Sequence, residues 1–281
     1  MLATALARAV AWTLPAVPGV LDGPVSAVAG TLAYVAAPGA RRAVRANIAV
    51  IAPTRRDREL VVRRVFVHQA RHYIETFRIG RLSPDRLLAQ VDVHGWSHFT
   101  RAFARGRGVV LVSAHLGPVA LCGQILAAQG YEVTIPVEAK SSELGRAVDR
   151  ARTALGGIRM VETSSAIGIH RVLRQGGILG MLADRAVTGI GVRVPFFGRE
   201  ALLPSAHVSL ALRTGAALVP AFAHRDGGRL HATVEPELDL PSTGDREADV
   251  REGVRRWAQV LERHVRRAPE QWSVFAAAWD Q

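Results

Sequence analysis

The chain of 281 residues contains one cysteine, Cys122, and one lysine, Lys140. A lone cysteine excludes an intrachain disulfide and any zinc site built on cysteines, and its apolar neighbours point to a buried structural thiol. With lysine so scarce, arginine carries the formal charge of +12, a bias that fits a GC-rich coding sequence as well as selection for charge. No Ser/Gly/Pro-rich linker and no fixed-period repeat interrupts the chain, so its length is read as one substantial core. Zinc-finger spacing, an RNP-like aromatic motif and a basic run interleaved with aromatics are also missing, which sets nucleic acid aside as a partner. An anionic membrane surface is then the partner that fits the positive charge.

Charge is nearly absent from residues 10–39, where Asp22 is the only charged group. Prolines at 15, 18, 24 and 38 cut this stretch into pieces too short to span a bilayer individually. The expectation is an apolar hairpin lying in the interface, followed by Arg41, Arg42 and Arg45, which would meet lipid phosphates. The alternative is a set of helices covering the protein's own core. An interrupted apolar run with only Arg8 before it argues against a cleaved signal peptide. Residues 1–45 are therefore read as a membrane-interface extension and residues 46–281 as the α/β domain, peripheral to the cytoplasmic face of the cell membrane.

What is present after that is periodic. Residues 57–80 place Leu60, Val61, Val65, Tyr73 and Phe77 at helical spacing, with arginines largely between them, so an amphipathic helix ending at Gly80 is predicted. His68 and His72 stand four apart on it, but no third ligand follows, and no metal is expected. Apolar runs at 109–112, 132–137, 158–161 and 178–182 alternate with helical stretches, the pattern of a mostly parallel, mixed sheet flanked by helices. Ligand-binding groups collect at the carboxyl ends of such strands. His115, Glu138 and Asp184 fall just beyond predicted strand ends and are expected to converge in one crevice. Gly117 and Pro118 place His115 beside amides at a helix N-terminus, equipment suited to acyl transfer by direct attack, since no nucleophile elbow is present. Phe196 and Phe197 are read either as walls of an acyl pocket or as core. A closing helix over 246–267 carries Val250, Val254, Trp257, Leu261 and Val265 on one face.

The blocks "GRGVVLVSAHLG", "LADR", "VRVPFFG", "LRTGAALVPAF" and "APEQW" resemble the lipid A biosynthesis (lauroyl/myristoyl) acyltransferases, and most closely their actinobacterial branch, the phosphatidylinositol mannoside acyltransferases. The resemblance implies a membrane-bound enzyme with a glycerolipid-acyltransferase-like α/β fold, without cofactor or metal. It would take an acyl group from acyl-CoA or acyl carrier protein, both as substrates. The family's motif is a histidine followed after four residues by Asp or Glu, the histidine being the general base. His115 matches the histidine, Ala120 stands at the acid, and the usual Gly-Asn-Trp reads Gly117-Pro118-Val119. Glu138 and Asp184 match acidic positions and Arg152 a basic one. Gly117, Arg152, Arg185, Phe196, Phe197, Gly198 and Glu200 are carried over as acyl- or substrate-binding residues.

Loss of an orienting carboxylate in a serine-protease triad costs about ten-thousandfold. Three readings stay open. Either Glu138 or Asp184 replaces the acid, or the acceptor is a better nucleophile such as an amine, or the fold binds acyl groups or lipid without catalysis. A specialised-metabolite intermediate on an acyl or peptidyl carrier protein is one such diverted acceptor.

Overall fold

Both faces of the central sheet are covered, and the strand sequences show why. In β2 (Val109–Ser113) every residue is buried, Val110 and Val112 toward one layer of side chains and Val109 and Leu111 toward the other. Near-continuous apolar runs of this kind are what a parallel strand buried on two faces requires. The structure is a computed structural model that describes residues 19–138, 143–186 and 189–279. The first 18 residues of the expected extension, and Lys140, lie outside the described residues.

The fold is α/β. The helices α1 (Asp22–Ala36), α2 (Pro38–Ile51), α3 (Arg58–Arg78) and α4 (Pro84–Leu88) precede β1 (Val91–His94) and α5 (Trp96–Ala104). Then come β2, α6 (Val119–Ala128), β3 (Val133–Val137), α7 (Glu143–Thr153), β4 (Ile158–Glu162), α8 (Ala166–Arg174) and β5 (Ile178–Leu182). A separate hairpin, β6 (Val192–Phe196) with β7 (Arg199–Leu203), turns on Phe197 and Gly198, both at positive φ. After α9 (Ala206–Thr214), β8 (Ala217–Asp226) and β9 (Arg229–Val234) form an antiparallel pair, and α10 (Arg246–Arg267) closes the fold. The seven-stranded order is β1-β9-β8-β2-β5-β3-β4, with β8, β2, β5, β3 and β4 all parallel. Val254, Trp257, Leu261 and Val265 of α10 are fully buried against one face, as their spacing predicts.

The N-terminal helices belong to this body. Val44, Ile48 and Ile51 of α2 enter the main core as one face, and the helix runs through residue 45, where the sequence reading set its boundary. Pro38 is the first residue of α2, a position where its missing N–H costs nothing, and so starts the helix it was read as breaking. Gly30 of α1 lets α1 lie directly on α3, since a Cβ there would stand 2.4 Å from the Val67 Cα. On α3 itself Val61 and Val65 are buried as expected, whereas Leu60 and Tyr73 are exposed, because the core face turns toward Val62, Phe66 and Ile74.

Candidate active site

Strands β2 and β5 run parallel with Ser113 opposite Leu182, and the pairing continues past both ends where Ala183 N–H donates to the Ser113 carbonyl at 2.9 Å. His115 and Asp184 are each two residues beyond that last pair, so the register brings them side by side. His115 Nδ1 lies 2.8 Å from Asp184 Oδ1, and the His115 backbone N–H donates to Asp184 Oδ2 at 2.9 Å. Trp272 Nε1–H donates to the same Oδ2 at 2.9 Å. The Asp184 side chain is completely buried while that of His115 is 34% exposed. Burial pushes the Asp184 carboxyl up, but the His115 charge and the hydrogen bonds from His115 and Trp272 outweigh it and hold it below its ordinary value. An ionised Asp184 accepts at Oδ1, so Nδ1 carries a hydrogen, and whenever the imidazole is neutral its lone pair is on Nε2.

The loop after β2 is held from behind by the C-terminal segment. Gly117 N–H donates to the Gln271 carbonyl at 2.9 Å and Ser273 N–H to the His115 carbonyl at 2.7 Å. Gly117 has φ +60°, and a Cβ there would fall 2.3 Å from the Ala223 carbonyl oxygen, so no other residue fits. Gln271 clasps the β8 backbone through Arg225, accepting at 2.8 Å and donating at 2.7 Å. Asn47 of α2 fixes the same segment by donating to Val274 and Ala276 and accepting from Ala278. Trp272 and Asn47 were not singled out from sequence. Trp272 is a buried indole whose N–H demands a partner, a demand that becomes visible only with its burial.

An apolar cavity of about 110 Å³ opens beside this loop between α6 and the ends of β2, β3 and β5. Ala120, Cys122, Leu126, Ile135, Gly180 and Leu182 are among its walls, with Arg152 and Gln124 as polar ones. Burial raises the Cys122 thiol to about 12, so it serves as wall rather than nucleophile. Arg152, 30% exposed and 3.7 Å from Asp149, is lowered from its ordinary value by burial but remains a cation. The helix N-terminus offers less than expected. Pro118 is the N-cap, and the Val119 and Leu121 amides already donate to Gly117 and Pro118. Ala120 N–H has no backbone acceptor among the described residues.

The other sequence-derived residues separate. Glu138 is exposed at the end of β3, which is parted from β2 by β5, so the strand register does not set it beside His115 as it does Asp184. Arg185 is exposed beside Asp184. Phe196 is fully buried, stacked on Trp279 at 5.4 Å and edge-on to Trp272 at 6.0 Å, so of its two readings it takes the core one, bracing the indole that holds Asp184. Phe197 sits under Arg266 at the hairpin tip, with Gly198 and Glu200 exposed there, and none of the three lines the cavity. His72 is buried and lowered to about 3 by burial and the nearby charges of Arg152 and His115, while His68 is lowered to about 4. Among the described residues no three His, Cys, Asp or Glu side chains gather as a metal site.

The family model described as bacterial lipid A biosynthesis acyltransferase matches residues 2–281. A phosphatidylinositol mannoside acyltransferase of Mycolicibacterium smegmatis is 29% identical over 253 residues, covering 88% of this chain and 82% of that protein. One of Mycobacterium tuberculosis is 30% identical over 220 residues, covering 74% and 67% respectively.

Proposed function

The chain belongs to the bacterial lipid A biosynthesis acyltransferase family, and from that premise we propose that it transfers an acyl group from acyl-CoA or acyl carrier protein to a glycolipid hydroxyl, with His115 as general base. The observation that carries this reading is the His115–Asp184 hydrogen bond. Asp184 fixes the imidazole with Nε2 free, and Nε2 takes the proton of the acceptor hydroxyl as its oxygen attacks the thioester carbonyl. The new C–O bond forms, the C–S bond breaks, and the proton passes from Nε2 to the departing thiolate. The apolar cavity receives the acyl chain, and Arg152 on its wall binds negative charge carried by the substrate.

The amine-acceptor and non-catalytic readings arose from the missing acid at position 120, and a carboxylate on His115 Nδ1 takes away their motive. A hydroxyl acceptor is supported further by the relatives, which are named for phosphatidylinositol mannoside. The apolar outward face of α1 supports action at a membrane surface.

The test is transfer from lauroyl-CoA to glycolipid acceptors, followed by mass spectrometry. His115→Ala should abolish it. Asp184→Asn is the sharper variant. Its carbonyl can still accept from His115 N–H and Trp272, while its NH₂ faces His115 Nδ1 and imposes the wrong tautomer. Turnover should fall by a factor on the order of ten thousand with the fold retained. Near-normal turnover in either folded variant would overturn the assignment.

A further inference from the structure

A second cavity, of about 550 Å³, opens at the same carboxyl edge of the sheet, between α3, α4, the first turn of α6 and the β8–β9 hairpin. Its charge is one-sided. Among the described residues Arg71, Arg78, Arg81, Arg86 and Arg225 line it, together with the carboxylates Asp22 and Glu75. Those two are already engaged: Glu75 Oε1 accepts from Arg71 Nε at 2.9 Å and is ion-paired with Arg225 at 2.8 Å, and Asp22 pairs with Arg78. The side chains of Arg71, Arg78 and Arg225 are 29%, 15% and 16% exposed, so this charge is partly withdrawn from water. A guanidinium does not escape such a position by losing its proton. Five guanidinium groups gathered in a concave, partly desolvated site suit an anion that accepts several forked donors, and phosphate is the group that matches them.

Its position ties it to the reaction. Leu121 lines the basic cavity and Ala120 the apolar one, so the first turn of α6 separates them. Arg71, Glu75 and Arg225 also line a small pocket that reaches Gly117 and Pro118, directly behind the His115 loop. We infer that this arginine cavity binds a phosphate ester of one of the two substrates, seating its polar end while the acyl chain enters the apolar cavity across α6. The inference rests on the acyl-transfer reading for its choice of ligands. The phosphate belongs either to the donor, as in coenzyme A, or to a phospholipid acceptor.

Calorimetric titration of the full-length protein in detergent separates these sources without needing turnover. The probes are coenzyme A, glycerophosphoinositol and S-octanoyl-pantetheine, which has no phosphate. The Arg81→Gln/Arg86→Gln variant should bind one phosphorylated probe about tenfold more weakly or worse, and S-octanoyl-pantetheine unchanged. The probe that weakens names the source. Arg86→Gln alone, at an exposed position, repeats the comparison should the double variant not fold. Equal affinity of variant and wild type for both phosphorylated probes, or no binding of either by wild type, would overturn the site. Failure of S-octanoyl-pantetheine alone would count against acyl transfer and leave the phosphate site standing.

Discussion

His115 Nδ1 can hold one partner, and Asp184 holds it at 2.8 Å. Ala120, where the family motif carries its acid, lines the apolar cavity instead. A carboxylate introduced there would find the imidazole N–H already held by Asp184. It would put charge on a surface that an acyl chain must cover, at a cost of a few kcal/mol. Ala120→Asp is therefore expected to lower turnover about tenfold or more and to weaken binding of acyl thioesters. A rate gain in single-turnover measurement would mean that Asp184 does not do the orienting. Ala120→Gly, which leaves the wall apolar, should keep near-normal turnover.

At the scale of elements, the cavity is bounded by strand residues whose size sets how much chain it accepts. Gly180 on β5 is such a position, because a Cβ there would meet Val133 Cγ1 at 3.4 Å and Ile135 Cγ1 at 3.6 Å, both ordinary contacts. Gly180→Val adds a β-branched side chain that a strand tolerates and fills part of the cavity. Competition among octanoyl to stearoyl thioesters should shift toward the shorter chains, with no loss of melting temperature. An unchanged preference would place the acyl chain elsewhere. Elements also mark where sequence reading stops. The run-and-helix alternation from 109 to 182 was legible because buried parallel strands are continuously apolar and short. His115, Glu138 and Asp184 were legible singly, as polar residues past strand ends. Which acid meets His115 was not, since that depends on β5 lying next to β2 while β3 lies one strand further out, an order that periodicity does not encode. The strands β1 and β9 escaped for another reason: VDVH, at the sheet edge, and RLHATV, next to it, are short and half polar. Trp272 reaches Asp184 from 88 residues away along the chain, and no local pattern announces such a contact.

At the scale of the whole molecule, two distributions remain unused by the fold: the net charge of +12 and the outer side of α1. Val28, Leu32 and Val35 fall at helical spacing and are 63%, 65% and 64% exposed, while Ser26 and Gly30 on the other side face the body. Of the three arginines that follow, Arg45 is paired with Glu59 and Arg41 lies over the Tyr34 ring, so the attraction to lipid is spread over the surface rather than set by that trio. A stripe of this kind lies in the interface when its apolar groups enter the acyl boundary and basic groups meet phosphate. The two contributions respond differently to salt: the electrostatic one is screened, and the apolar one is not. Wild-type protein should bind vesicles containing anionic lipid tightly at low salt and retain part of that binding at high salt. Val28→Glu/Leu32→Glu should lose the salt-resistant part. Each apolar side chain withdrawn from the interface removes about 1.5–3 kcal/mol, so affinity should fall by at least about a hundredfold for the pair. Because both side chains point away from the core, the melting temperature should not change, which distinguishes lost docking from lost folding. Equal partitioning of this variant and wild type in vesicle flotation would show that α1 does not face the lipid. The basic cavity begins at Gly19 and Asp22, at the foot of the same helix, so that result would also separate phosphate binding from membrane docking.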